Sequence, residues 1–230
     1  TINCHLDSIR GFYHYLIEEE QVQMVNPVKR GYALRLSRPL PRHLRDEEVG
    51  RLLQVIHDRR DRAMVMLMLR CGLRVEEVSR LKLAALDLRR SQVFVHQGKG
   101  AKDRVVYLSD DAYEALVEYL RVRPASRVKE VFLVDKGRCR GKAISVRGIQ
   151  KRLEYYARQA RLKVSCHQLR HTMATQLLNA DAALVTIQDL LGHTRIKTTQ
   201  RYCRVSNTKV QRDYHRAMAL VMERTSGEEL

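Results

Sequence analysis

Apolar residues recur at helical spacing from the start of the chain. Ile2, Leu6, Ile9, Phe12, Tyr13, Leu16 and Ile17 share one stripe, which predicts a helix over residues 3–24 that ends before Asn26-Pro27. The next stretch, "KRGYALRLSRPLPRHL", is polar and carries prolines, so it reads as an extended linker. "DEEVGRLLQVIHD" then predicts a helix capped by Asp46, with acids in the first turn where the helix dipole favours them. "DRAMVMLMLRCG" is apolar nearly all round and stops at Gly72, as expected of a buried helix whose methionines fill the core. A short helix over "RVEEVSRLKLAAL" follows.

The period then changes. "SQVFVHQ" and "DRVVYL" alternate apolar and polar residues around "GKGAK", a strand, loop, strand pattern, and "EVFLV" suits one more short strand. Helical spacing returns at Asp110–Arg121, Ser145–Arg161, His167–Leu178, Leu184–Leu191 and Asn207–Arg224. The expected class is mainly α with a small antiparallel β-sheet (α+β), without internal repeats or low-complexity tracts.

Length and composition narrow the classes. The 230 residues, 44% of them hydrophobic, suffice for one large domain, or for one with a short extra piece. The longest apolar run, "AMVMLML" from Ala63 to Leu69, is too short to cross a bilayer, and no signal peptide is visible, so a soluble protein is expected. Because the chain starts at Thr1 inside a helical pattern, a fragment of a longer protein is expected.

The net charge of +17 and pI of about 10.0 point to a polyanionic partner. An anionic membrane would call for a basic amphipathic helix or a lipidation motif, and neither is found. Genome base composition explains arginine over lysine but not the shortage of acids. Nucleic acid is therefore the favoured partner. Cys4, Cys71, Cys139, Cys166 and Cys203 form no CxxC pair, which excludes a zinc ribbon or disulfide framework and fits a reducing cytoplasm.

Candidate chemistry centres on "HQLRHTMATQLL". His167 and His171 share one helix face, with Arg170 one turn from His167. A zinc site of the HExxH kind would need a glutamate where Gln168 stands, and Arg170 would set a permanent cation beside the metal. An arginine flanked by histidines suits a phosphate instead, with imidazole as proton carrier. Histidines that merely cap or fill a helix remain an alternative at this point.

"CGLRVEEVSRL", "HQLRHTMATQLL" and "LLGHTRIKTTQRY", in this order, resemble the tyrosine recombinase (phage integrase, Xer-like) family, and "GKGAKDRVVYL" resembles its lysine-bearing β-hairpin. The likeness spans about Asp46 to Val205. It implies a tyrosine recombinase-like catalytic domain over 45–206, reached through a linker at 29–44. Residues 1–28 would be the C-terminal helix of a truncated helical core-binding domain, and 207–230 a helix and tail that dock on a neighbouring subunit.

The resemblance implies a site-specific recombinase or integrase that cuts and rejoins DNA by transesterification through a covalent 3′-phosphotyrosine. Tyr202 would be the nucleophile, Arg74 and Arg170 the cations at the phosphate, and His193 a hydrogen-bond donor to it. His167 would be the general base and Lys102 the acid for the leaving oxygen, with Lys99 the alternative. Glu77 and His171 would support the site, and Lys99, Arg104, Arg195, Lys197 and Arg201 would contact DNA. No metal or cofactor is implied. The partners would be double-stranded recombination sites and other copies in a tetramer formed through the last helix, with no membrane. A cytoplasmic, nucleoid-associated enzyme of a bacterium, phage or mobile element follows.

Tyr13, Tyr15, Tyr155 and Tyr156 read as core or interface residues, and Tyr214 is a rival nucleophile without the preceding Gly-His frame. One departure is Ala180-Asp181, where the family often has glycine; Asp tolerates the left-handed backbone such a turn requires. The alternatives are a catalytically silent DNA-binding protein of the same fold, a type IB topoisomerase-like relaxing enzyme, and, third, a zinc-dependent nuclease.

Overall fold

The computed structural model describes residues 2–34, 42–96 and 103–192. They fall into two units, divided between Pro39 and Leu40. The first holds helix α1 (Ile2–Glu18) and a 3-10 turn at Arg30–Tyr32. Helix α1 is shorter than its apolar stripe predicts, and Gln21 beyond it takes a left-handed φ of 50°. The segment after it is pinned by side-chain amides. Asn26 donates to the Arg10 carbonyl at 3.0 Å, and Asn3 both donates to and accepts from the Leu34 backbone at 2.9 and 2.8 Å. Tyr15 is exposed and Tyr13 half-buried.

The second unit runs α2 (Asp46–Gln54), α3 (Arg59–Arg70), α4 (Val75–Ser79), β1 (Leu86–Asp87), β2 (Gln92–Val95), β3 (Arg104–Tyr107), α5 (Asp110–Val122), α6 (Val146–Gln159), α7 (Cys166–Asn179) and α8 (Leu184–Leu191). The expected mainly helical class with a small antiparallel sheet is the observed one. The three strands lie in the order β1-β2-β3, with Val93 opposite Val106 and Val95 opposite Arg104.

Four local differences from the expected elements stand out. The cap of α2 is Arg45, whose backbone N–H donates to Glu48 at 2.9 Å, while Asp46 sits at the first helical position and accepts from Gln176 at 2.6 Å. "EVFLV" makes isolated bridges, Lys82 with Glu130 and Leu133 with Ala143, instead of a strand. The sheet's short first strand, β1, was not expected. "RVEEVSRLKLAAL" yields only α4 and a 3-10 turn at Leu83–Ala85.

Helix α3 is the central element. Ala63 to Leu69 are all buried, and α5, α6 and α7 pack around the helix. Its first turn enters the core with charge. Asp61, 1% exposed, accepts from Arg60, Arg152 and Tyr156, so this buried carboxylate is fully partnered. Tyr156 is thus a core residue while Tyr155 is exposed. Helix α7 is capped reciprocally: Ser165 accepts from the Gln168 backbone at 3.3 Å, and the Gln168 side chain accepts from the Ser165 N–H at 2.8 Å. At its other end Asp181 takes the left-handed conformation expected of it, at φ 64°, with the Ala182 N–H closing back on the Leu177 carbonyl at 3.0 Å.

Candidate active site

Glu77 is the hub of the site. It stands at the third position of α4, one turn from Arg74 at the N-cap, and reaches back to it. Oε2 accepts from the Arg74 backbone N–H at 2.7 Å and Oε1 from Arg74 Nη1 at 2.9 Å. From β3, Arg104 adds two parallel bonds, Nη1 to Oε1 at 2.8 Å and Nη2 to Oε2 at 2.7 Å. The carboxylate's acceptor sites are thereby filled by charged or oriented donors. Burial alone would push this carboxyl up. The Arg104 hydrogen bonds and charge, with the Arg74 N–H and charge, override it and hold the group at about 2.

The second assembly point is the end of α8. A helix C-terminus leaves its last carbonyls unpaired and carries partial negative charge. Here those carbonyls receive guanidiniums: Arg104 Nε reaches the Leu190 oxygen at 2.9 Å and Arg74 Nη2 the Leu191 oxygen at 3.4 Å. Arg170, from α7, donates through Nη2 to the same Leu191 oxygen and through Nη1 to the Gly72 oxygen. Two glycines permit the approach. Gly72 has φ +65°, and an added Cβ would lie 3.1 Å from Leu191 Cδ2 and from Met173 Sδ. Gly192 has φ +58°, and its Cβ would lie 3.0 Å from Arg104 Cδ.

The structure thus brings Arg74, Glu77 and Arg170 together, and it adds Arg104. That residue was expected among the DNA contacts. Its side chain is 8% exposed and engaged with Glu77 and Leu190, so it belongs to the frame of the site rather than to its surface. The signal was present in the alternation: Arg104 and Val106 share the inward face of β3, and buried Leu108 follows in the same period. Arg170 is also buried, at 2% exposure.

His167, exposed in the first turn of α7, meets the half-buried His171 edge to face, with ring centroids 4.2 Å apart. Among the described residues no group of three or more His, Cys, Asp or Glu could hold a metal ion. Lys99, Lys102, His193, Arg195, Lys197, Arg201 and Tyr202 lie outside the described residues, as does the helix expected at Asn207–Arg224.

The surface carries two concave regions. A cleft of about 770 Å³ borders Arg74 and Glu77 and is walled by Arg80, Lys82, Phe94 and His96. A groove of about 650 Å³, beside His167 in sequence, is lined by Arg42, Arg161, Lys163, Ser165 and Gln168 and by Arg158, which pairs with Glu154 in the same wall. Arg161 occupies the left-handed position that ends α6, at φ 55°, where glycine is the usual choice. Among the described residues no helix is long and apolar enough to cross a membrane.

Arg74 and Arg104 hold the Glu77 carboxylate, and Arg170 shares the Leu191 carbonyl with Arg74, so these four side chains together carry a surplus of two positive charges. Residues 42–209 match the model of the phage integrase family. The chain belongs to the phage integrase family.

Relatives within and around that family agree. The tyrosine recombinase XerA of Thermococcus kodakarensis is 34% identical over 230 residues, covering 99% of this chain and 78% of the relative. The crystal structure of a XerA recombinase superposes with a TM-score of 0.70 at 26% identity, covering 92% of this chain and 83% of that one. A XerH site-specific recombinase bound to its difH substrate before cleavage gives 0.66 at 28% identity, over 84% of this chain and 58% of that one.

Proposed function

We propose that this chain is a site-specific DNA recombinase that cuts and rejoins strands through a covalent 3′-phosphate ester on Tyr202. The recombinase class follows from family membership and from tyrosine recombinases as relatives. The residue roles rest on the prearranged cationic frame, the observation that carries this reading.

Attack of the Tyr202 oxygen on a DNA phosphodiester forms the new P–O bond while the bond to the 5′-oxygen breaks. The phosphate ester keeps the bond energy, so resealing needs no nucleotide. The pentacoordinate phosphorane carries one more negative charge than the diester, and the surplus charge of the site answers it. Arg74 is oriented by Glu77 and the Leu191 carbonyl. Arg170 is oriented by the Gly72 and Leu191 carbonyls and is the second cation at the phosphate. His167 takes the tyrosine proton, with His171 supporting its ring. His193 donates to a non-bridging oxygen, and Lys102, with Lys99 as the alternative, protonates the 5′-oxygen.

Double-stranded recombination sites are the partner, gripped through phosphates by the groove of Arg42, Arg158, Arg161 and Lys163 and by Arg195, Lys197 and Arg201. Residues 207–230 dock on a neighbouring copy in a tetramer on DNA, and the enzyme acts in the cytoplasm at the nucleoid. The reaction runs without metal.

A nicked suicide duplex in excess chelator tests the reading. A covalent protein–DNA adduct is expected, absent in Tyr202→Phe. No adduct on any such duplex, or one that persists in Tyr202→Phe, overturns it.

A further inference from the structure

We propose that Arg104 is a positioning residue for strand cleavage, tying the strand that follows the lysine loop to the carboxylate that orients Arg74 and to the backbone just before His193. The proposal deepens the recombinase reading and rests on it. Its grounds are geometric. One guanidinium makes three bonds to two separate elements: both oxygens of Glu77 on α4 and the Leu190 carbonyl at the end of α8. Arg104 lies two residues after Lys102 in sequence, and Leu190 three before His193. The residues expected to protonate the leaving oxygen and to bind the phosphate thus stand, in sequence, within three positions of backbone that one side chain ties together.

Lysine could not replace it. A single ammonium has no planar fork to span both carboxylate oxygens while also reaching a carbonyl to one side. The fit is tight on the other flank too, since a Cβ on Gly192 would meet Arg104 at 3.0 Å. Its side chain is 8% exposed, so the role is exerted through Glu77 and the backbone rather than by touching DNA.

The position also predicts a signature that simple loss of stability would not produce. The charged groups bonded to Glu77 are Arg74 and Arg104. Without Arg104, burial opposes ionisation with only Arg74 to answer it, so the carboxyl protonates more readily.

The test measures single-turnover adduct formation on the nicked duplex, at saturating DNA, for the wild type, Arg104→Met, Arg104→Lys and Arg104→Met/Glu77→Gln. Arg104→Met should cleave about 10–100-fold more slowly with DNA affinity nearly kept, as for loss of a supporting partner. Its rate should fall more steeply than the wild type's as pH is lowered, and the double variant should lose that extra acid limb. Arg104→Lys, which keeps the charge and guards against misfolding of the methionine variant, should stay slow without gaining the limb. Wild-type adduct with an Arg104→Met rate and pH profile like the wild type's overturns the proposal alone. Weakened binding with unchanged cleavage when bound would make Arg104 a phosphate contact and overturn it as well. Absence of adduct in the wild type brings down the recombinase reading itself.

Discussion

Arg104 and Glu77 face each other across β3 and α4 through two parallel bonds of 2.8 and 2.7 Å, and both side chains are at least nine-tenths buried. A pair this enclosed stabilises the fold only while the carboxylate is ionised.

That condition sets an acid dependence. The Glu77 pKa is depressed from 4.5 to about 2 in the folded chain, so its contribution is fully present above pH 4.5 and is lost as pH falls toward 2. A depression of that size corresponds to roughly 3 kcal/mol. Denaturant unfolding at stepped pH should show wild-type stability dropping through this window, with a much flatter profile in Glu77→Gln. Glu77→Gln should also be less stable at neutral pH by about 3–5 kcal/mol, because two guanidiniums lose their counter-charge in a buried site.

Arg161→Gly separates binding from folding. Removing a side chain from the left-handed position at φ 55° should raise stability by about 1 kcal/mol, seen as a higher Tm. The same change removes a cation from the groove. DNA affinity should fall, and the slope of log affinity against log salt should become shallower by about 0.9. An unchanged slope would take Arg161 out of the DNA interface.

Gly72→Ala should cost about 1–2 kcal/mol for the left-handed backbone, plus what Leu191 and Met173 lose by giving way to the new methyl group. Because the Gly72 carbonyl holds Arg170, cleavage should slow beyond the loss of folded protein, as measured by adduct yield per folded molecule.

Thr172→Val examines how the chain enters this unit. The Thr172 hydroxyl, fully buried, accepts from the Leu44 backbone N–H at 2.9 Å and donates to the Gln168 carbonyl at 2.8 Å. The near-isosteric valine strands the Leu44 N–H, at a cost of about 1–3 kcal/mol in denaturant unfolding. Protease cleavage near residue 44 should rise with it.

The helices were legible because burial on one face imposes a period. Helix α8 falls at Leu184–Leu191 as its apolar spacing demands, and α5 and α6 lie within two residues of their expected ends. "EVFLV" misled because an apolar run says that a segment is buried, not whether a strand lies beside it; here Tyr119 serves the backbone instead, accepting from the Leu133 N–H and donating to the Val131 carbonyl at 3.1 Å each. At the site, Arg74, Glu77 and Arg170 could be named from their motifs. The oxygens that hold them could not, since Gly72, Leu190 and Leu191 act through the main chain, which every residue possesses. Arg104 was visible as charged but was misplaced, because its inward register on β3 counted for less than its neighbourhood of lysines.

Two arginines from different helices hang on the single carbonyl oxygen of Leu191. Their separation is therefore measured from a backbone atom, and no exchange of the Leu191 side chain deletes that reference. Drift in the sequence can alter the packing beneath α8 without changing the span between the two cations, as long as the helix ends at the same residue. Lengthening or shortening α8 by one residue would swing a different carbonyl into place and shift both arginines at once. In this part of the chain, insertions and deletions should be far less tolerated than substitutions.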